Sequence, residues 1–187
     1  SDHLHLTAKV RFAKGWLYLK SNLSGAYNLE NILAAARIGL HFGLDPLEIQ
    51  KGIENYTPSN NRSQITRIDS NIYLVDCYNA NPSSMKLSLE NFDAQNQTGK
   101  TLVLGDMLEL GDNSQAEHQM VVEQIKNIKT EDVILIGTEF LKTECPKEFK
   151  RFESVDEFLL ENNPKKWQNR FVLIKGSRGI RLEKIIA

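Results

Sequence analysis

The chain has 187 residues, 41% hydrophobic and 25% charged, with a net charge of −1. This suits one globular domain, or one domain and part of another, and leaves no basic excess for a nucleic-acid or anionic-membrane footprint. No apolar run approaches the ~18 residues of a membrane span, and Cys77 and Cys145 form neither a C-x-x-C pair nor a disulfide framework, so a reducing cytoplasm is the expected location.

Taken in order, Leu4, Leu6, Ala8, Val10 and Phe12 alternate with polar residues, the period of a half-buried strand. Lys14-Gly15 is a turn signal, and residues 16–19 read as the returning strand of a hairpin. His3 and His5 lie on the polar side of the first strand. Without a third ligand this H-x-H pair reads as surface rather than metal site. Leu29, Ile32, Leu33, Ala36 and Leu40 form a helical stripe that stops at Gly43. Asp45, Pro46 and Glu48 supply N-cap, first-position proline and capping acid for a second helix carried by Ile49, Ile53 and Tyr56. Asn28 and Asn31 stand at the start of the first helix. The plainer reading is a cap and a solvent-facing residue; the other is two carboxamides on one face, able to pair with both edges of an adenine.

Residues 57–61, Thr-Pro-Ser-Asn-Asn, form the best boundary, and Arg62 follows at once. From there apolar strands alternate with amphipathic helices. Strands are expected at 72–77, 101–104, 133–136 and 171–174, with Arg67-Ile68 adding another. Helices are expected around Met85, Leu89 and Phe92, around Ala116, Met120, Val121, Ile125 and Ile128, around Val155, Phe158 and Leu159, and around Leu182, Ile185 and Ile186. Asn81-Pro82 reads as N-cap and first helical position, and Ser114-x-x-Glu117 and Ser154-x-x-Glu157 as capping boxes. The fold class is therefore α/β: a Rossmann-like, mostly parallel sheet with helices on both faces, preceded by a hairpin and two helices.

Four stretches carry chemistry or its likeness. Gly99-Lys100-Thr101 mimics the tail of a P-loop, but Ala94 stands where that motif needs its first glycine, and the stretch begins a strand instead of following one. The strand at 72–77 ends on Asp76 and hands over to Tyr78, Asn79 and the capped helix, which places polar groups at the carboxyl edge of the sheet, where open α/β sheets bind ligands. Gly105-Asp-Met-Leu-Glu-Leu-Gly111 puts Asp106 and Glu109 beyond a second strand end, with His118 downstream. Lys175-Gly-Ser-Arg-Gly179 brings glycines, a hydroxyl and two cations to a third, suited to a phosphate or carboxylate or equally to a tight turn with surface cations.

In this order the pieces Gly25-x-x-Asn28-x-x-Asn31, Arg62, Asp76-x-Tyr-Asn-Ala-Asn-Pro82, Gly105-Asp-Met-Leu-Glu-Leu-Gly111 with His118, and Lys175-Gly-Ser-Arg-Gly179 resemble the Mur ligase family. Within it they resemble the ligases that add D-Ala-D-Ala to UDP-N-acetylmuramoyl-tripeptide. The resemblance implies that residues 1–57 are the end of the family's central ATPase domain and 58–187 its C-terminal domain. It implies ATP and Mg2+ as cofactors, phosphorylation of the tripeptide's terminal carboxylate, and attack of the D-Ala-D-Ala amine on the acyl phosphate. It further implies a cytoplasmic monomer without nucleic-acid or membrane partners. By position, Asn28, Asn31, Arg62 and Asp76 would contact the nucleotide. Tyr78, Asn79, Asn81, Lys175, Ser177 and Arg178 would contact the phosphates or the dipeptide. No catalytic residue and no metal ligand carries over, because the family's P-loop, metal ligands and carbamylated lysine lie upstream of the matching stretch. These residues are therefore expected to fold without catalysing. Tyr27 stands where many members have histidine, so no role passes to it. The alternatives are a stand-alone nucleotide-binding module, or another superfamily ligase such as a folylpolyglutamate synthase, whose strand end reads Asp-Gly-Ala-His-Asn-Pro.

Overall fold

The computed structural model describes residues 4–59 and 61–187, so His3 lies outside the described residues. The chain divides into two compact units, Ser1–Ser59 and Asn60–Ala187.

In the first unit, β1 (Thr7–Phe12) and β2 (Gly15–Lys20) pair antiparallel through the Lys14-Gly15 turn, with Ala8 opposite Leu19. His5 precedes β1 and is half-buried. α1 (Leu29–His41) ends at Gly43, whose φ of 83° is left-handed. α2 (Pro46–Asn55) has the expected capping box: Asp45 accepts from the Glu48 N–H, and Glu48 accepts from the Asp45 N–H. Ala8, Phe12, Leu19, Ile32, Ala36 and Ile49 make the core. The α1 stripe is only partly internal. Ile32 and Ala36 are buried, while Leu29, Leu33 and Leu40 are about two-fifths exposed, because two strands and one helix cover only part of its face.

The second unit is a six-stranded sheet in the order β3-β4-β8-β5-β6-β7. Its strands are β3 (Gln64–Ile68), β4 (Asn71–Asp76), β5 (Lys100–Gly105), β6 (Asp132–Ile136), β7 (Lys150–Phe152) and β8 (Phe171–Lys175). β3, the strand expected around Arg67-Ile68, is the single antiparallel member and lies on the edge. The others are parallel, and β8 slots between β4 and β5. The intervening helices are α3 (Pro82–Ala94), α4 (Ser114–Ile125), α5 (Thr138–Leu141) and α6 (Val155–Glu161). Strand side chains alternate between two cores, as a sheet covered on both sides requires. Val75, Val103, Ile134 and Ile174 meet α6 residues Val155 and Phe158. Phe171 stacks on Phe92 of α3, ring centroids 5.0 Å apart.

Three local expectations are corrected. Ser114 does not cap α4: it is the first helical residue behind a 3-10 turn, and its hydroxyl donates to Glu139 at 2.8 Å. The helix is thereby rotated so that His118, Val121, Val122 and Ile125 face inward, while Ala116 and Met120 stay exposed. The closing segment Leu182–Ile186 is 3-10 rather than α-helical.

Candidate functional site

Parallel strands deliver their carboxyl ends to one edge, and the chemistry collects there. Asp76 ends β4, Lys175 ends β8 beside it, and Asp106 follows the last residue of β5. Asn81 caps α3 as expected, accepting from the Ser84 N–H at 2.9 Å, with Pro82 in the first position.

Asp76 and Lys175 form a pair at 2.6 Å, with the lysine side chain fully buried and the aspartate 17% exposed. Asp76 also accepts from the Ser63 N–H at 3.2 Å and the Ser88 hydroxyl at 3.3 Å. Lys175, expected to meet a dipeptide carboxylate or phosphate, stands in this structure against Asp76. Its ammonium is enclosed and committed to Asp76, since a buried charge persists only when paired.

Ser177 is likewise internal, its hydroxyl accepting from the Leu108 N–H at 2.9 Å. Arg178, by contrast, is exposed, and so is Arg62. The two guanidinium groups gather on one ring. Arg62 lies 3.8 Å and Arg178 5.4 Å from the Tyr78 centroid, both within cation–π range. Residues 116 positions apart in sequence thus build one patch of fixed positive charge, beside the exposed Asn79 and Asn81. Such a patch suits phosphate or carboxylate oxygens, for which guanidinium geometry is matched.

Asp106 and Glu109 do not pair. Glu109 is exposed at a left-handed φ of 66°, whereas Asp106 is buried and accepts from the Glu139 and Phe140 N–H groups at 2.9 and 3.0 Å. Burial pushes the Asp106 carboxyl above the usual range, against the pull of those donors. His118 Nε2 is 3.6 Å from Asp106, yet this is no ion pair. Nε2 accepts the Met107 N–H at 3.0 Å while Nδ1 donates to the Ser114 carbonyl at 2.7 Å, which assigns a neutral ring protonated on Nδ1.

Asn28 and Asn31 lie in the first unit. Asn28 is buried, donates to the Ser24 carbonyl at 2.7 Å and accepts from Asn31 at 3.0 Å. Asn28 makes no side-chain cap bond to α1, so the capping reading fails. Asn31 remains exposed. It borders a cavity of about 390 Å³ between α1 and α2, lined by Leu23, Ile32, Leu44 and Ile53. The sequence reading missed this cavity, because the glycines that open it, Gly39 and Gly52, carry no helical-face signal of their own.

A family model described as Mur ligase, glutamate ligase domain, matches residues 61–178. The chain belongs to the Mur ligase family. This Mur ligase chain is 32% identical, over 95% of its length, to the UDP-N-acetylmuramoyl-tripeptide–D-alanyl-D-alanine ligase of Treponema pallidum. It spans 40% of that relative, and about the same share of the other curated ligases it matches along most of its length. Its fold is similar to a crystal structure of MurF from Acinetobacter baumannii, with a TM-score of 0.79 and 26% identity, covering 98% of this chain and 42% of that one. It is also similar to MurF from Thermotoga maritima in complex with ADP, with a TM-score of 0.77 and 20% identity, at the same coverage. No helix among the described residues is long and apolar enough to cross a membrane.

Proposed function

We propose that this Mur ligase chain is the C-terminal part of an ATP-dependent amide ligase that joins D-Ala-D-Ala to UDP-N-acetylmuramoyl-tripeptide in cytoplasmic peptidoglycan precursor synthesis. The observation that carries the reading is the match across nearly the whole chain to relatives bearing that activity in their names. In this reading residues 1–57 close a central ATPase domain, residues 58–187 form the C-terminal domain, and the ligase acts as a monomer.

The nucleotide fits the chemistry of the strand edge. Asp76 keeps 17% of its side chain exposed and offers an acceptor for ribose hydroxyls. Arg62 offers a permanent charge to phosphate oxygens. In the first unit, Asn28 and Asn31 are assigned to the adenine, the buried Asn28 holding the exposed carboxamide of Asn31 in place. Tyr78, Asn79, Asn81 and Arg178 supply the contacts for the dipeptide or the transferred phosphate, with Ser177 and Lys175 holding that edge from within. Mg2+ does not fit a ready-made cluster here, as no three His, Cys, Asp or Glu side chains converge among the described residues.

ATP supplies the phosphoryl group that activates the tripeptide carboxylate. The chain's own residues bind, orient and neutralise. Cations already fixed where negative charge collects stabilise it without reorganising, which is the larger part of catalysis in phosphoryl and acyl transfer. The 187 residues alone contain no P-loop and are expected not to form the amide.

The test is phosphate release by the full-length gene product with MgATP and UDP-N-acetylmuramoyl-tripeptide, with and without D-Ala-D-Ala. Release should depend on the dipeptide and fall at least about tenfold in Arg62→Ala and Arg178→Ala, the loss expected of a charged hydrogen bond. Both side chains are exposed, so neither change threatens the fold. Release with another amine but not D-Ala-D-Ala would keep the family and discard the substrate. No release from folded protein would leave a nucleotide-binding module without chemistry.

A further inference from the structure

The turn after β5 is tied down at four backbone polar groups. Asp106 N–H donates to the Ile136 carbonyl and Asp106 C=O accepts from the Ser177 N–H, each at 3.0 Å. Met107 N–H goes to His118 and Leu108 N–H to the Ser177 hydroxyl. The Asp106 carboxylate spans to the start of α5, and only glycine fits beneath it, because a Cβ on Gly137 would stand 2.2 Å from that carboxyl group. Gly176 approaches so closely that its Cβ would meet Gly105 Cα at 2.9 Å, and Leu108 packs against Gly179. Residues 106–108 and 176–179 are therefore bonded and packed directly to one another.

The side chains of His118 and Asp106 are 0% and 3% exposed, so neither touches a substrate. Buried polar side chains are costly unless hydrogen-bonded. Here the Asp106 carboxylate accepts from the Glu139 and Phe140 N–H groups, while His118 accepts from the Met107 N–H and donates to the Ser114 carbonyl. The Asp106 main-chain carbonyl passes the linkage to the Ser177 N–H. We infer that Asp106 and His118 are positioning residues that act through Ser177 to set where Arg178 presents its guanidinium beside Tyr78. The inference rests on the proposed ligase reading, in which Arg178 meets an anionic oxygen. Displacements of about 1 Å at such a contact are worth up to about 100-fold.

The experiment compares His118→Leu, which deletes the acceptor for Met107, with His118→Gln, whose carboxamide oxygen can replace it. In the 187-residue chain, amide exchange at Leu108 and Ser177 should quicken at least about tenfold in the Leu variant and stay near the parent rate in the Gln variant. In the full-length ligase, Arg178→Ala first shows which substrate's KM depends on that guanidinium. His118→Leu should then raise the same KM about tenfold with a smaller change in kcat, and Gln should restore it. Unchanged exchange in His118→Leu overturns the inference. So does a raised KM in Arg178→Ala with none in His118→Leu. An Arg178→Ala that alters no KM overturns the substrate contact of Arg178 and this inference with it, while the ligase reading still stands or falls on dipeptide-dependent phosphate release. Should His118→Leu fail to fold, Ser177→Ala deletes only the acceptor for Leu108 and is judged by the same two readouts.

Discussion

The two units follow the same patterning rules and end differently. In the second, β5, β6 and β8 are buried along nearly their whole length and α3, α4 and α6 close the core. In the first, six buried apolar residues form the core. Ten of the fifteen large apolar side chains exposed among the described residues, Trp16, Phe42 and Leu47 among them, belong to that smaller unit. Periodicity thus tells which face of an element seeks burial, not what covers it. In the proposed ligase, the rest of a central domain would cover the open face of α1. A second contrast lies inside. The larger unit encloses charge, with Lys175 and Asp106 buried at its strand ends and the partly exposed Asp76 paired to the lysine, whereas the smaller encloses mostly apolar groups with Asn28 and two serines.

Three substitutions and one thiol titration test this contrast, from the largest effect downward. Asp76→Ala strands the Lys175 ammonium in the core and should cost the second unit about 3–5 kcal/mol. Urea unfolding followed at Trp167 in a Trp16→Phe background reads that unit alone, and a loss below about 1 kcal/mol would mean that the charge is not enclosed. Gly137→Ala forces a β-carbon against Asp106 at a φ of 132° and should cost about 1–3 kcal/mol by the same measurement. Asp45→Ala removes the capping box of α2 and should lower the first unit's stability by about 1 kcal/mol, followed at Trp16 in a Trp167→Phe background. An equal shift in both signals would show that the units unfold together.

The smallest effect is chemical. Burial, with Glu183 and Asp76 nearby, pushes the Cys77 thiol up to about 12 from 9.0. At neutral pH both folded and unfolded chains hold that proton, so the group is silent there. As pH rises past the unfolded value, the unfolded chain alone ionises, and stability drains away until the folded value is reached. Ellman titration of the folded chain at pH 8 should find Cys145 reactive and Cys77 protected, and two fast thiols would refute the burial.

Much of this was legible because it is local. Strand ends, the Asn81 and Asp45 caps and the alternation of strand and helix all follow from residues within a few positions of one another. The site was legible only as separate pieces. That Arg62 and Arg178 share the Tyr78 ring depends on β8 lying next to β4, which no local pattern encodes. Lys175 reads as a free cation until burial assigns it to Asp76. Ser114-x-x-Glu117 satisfies a capping rule, yet Ser114 bonds Glu139, a residue 25 positions on, and the helix starts otherwise.

The position of β8 has a consequence for how the molecule is made. It is the last of the six strands in chain order and sits between two that were synthesised long before it. Until residues 171–175 arrive, β4 and β5 face each other across a missing strand, with open edges and apolar surface on show. The sheet cannot be completed outward from a finished half, and its final step is an insertion that joins residues about 70 to 100 positions apart. On the ribosome, the nascent second unit would wait in that open form, a target for holding chaperones and for its own neighbours.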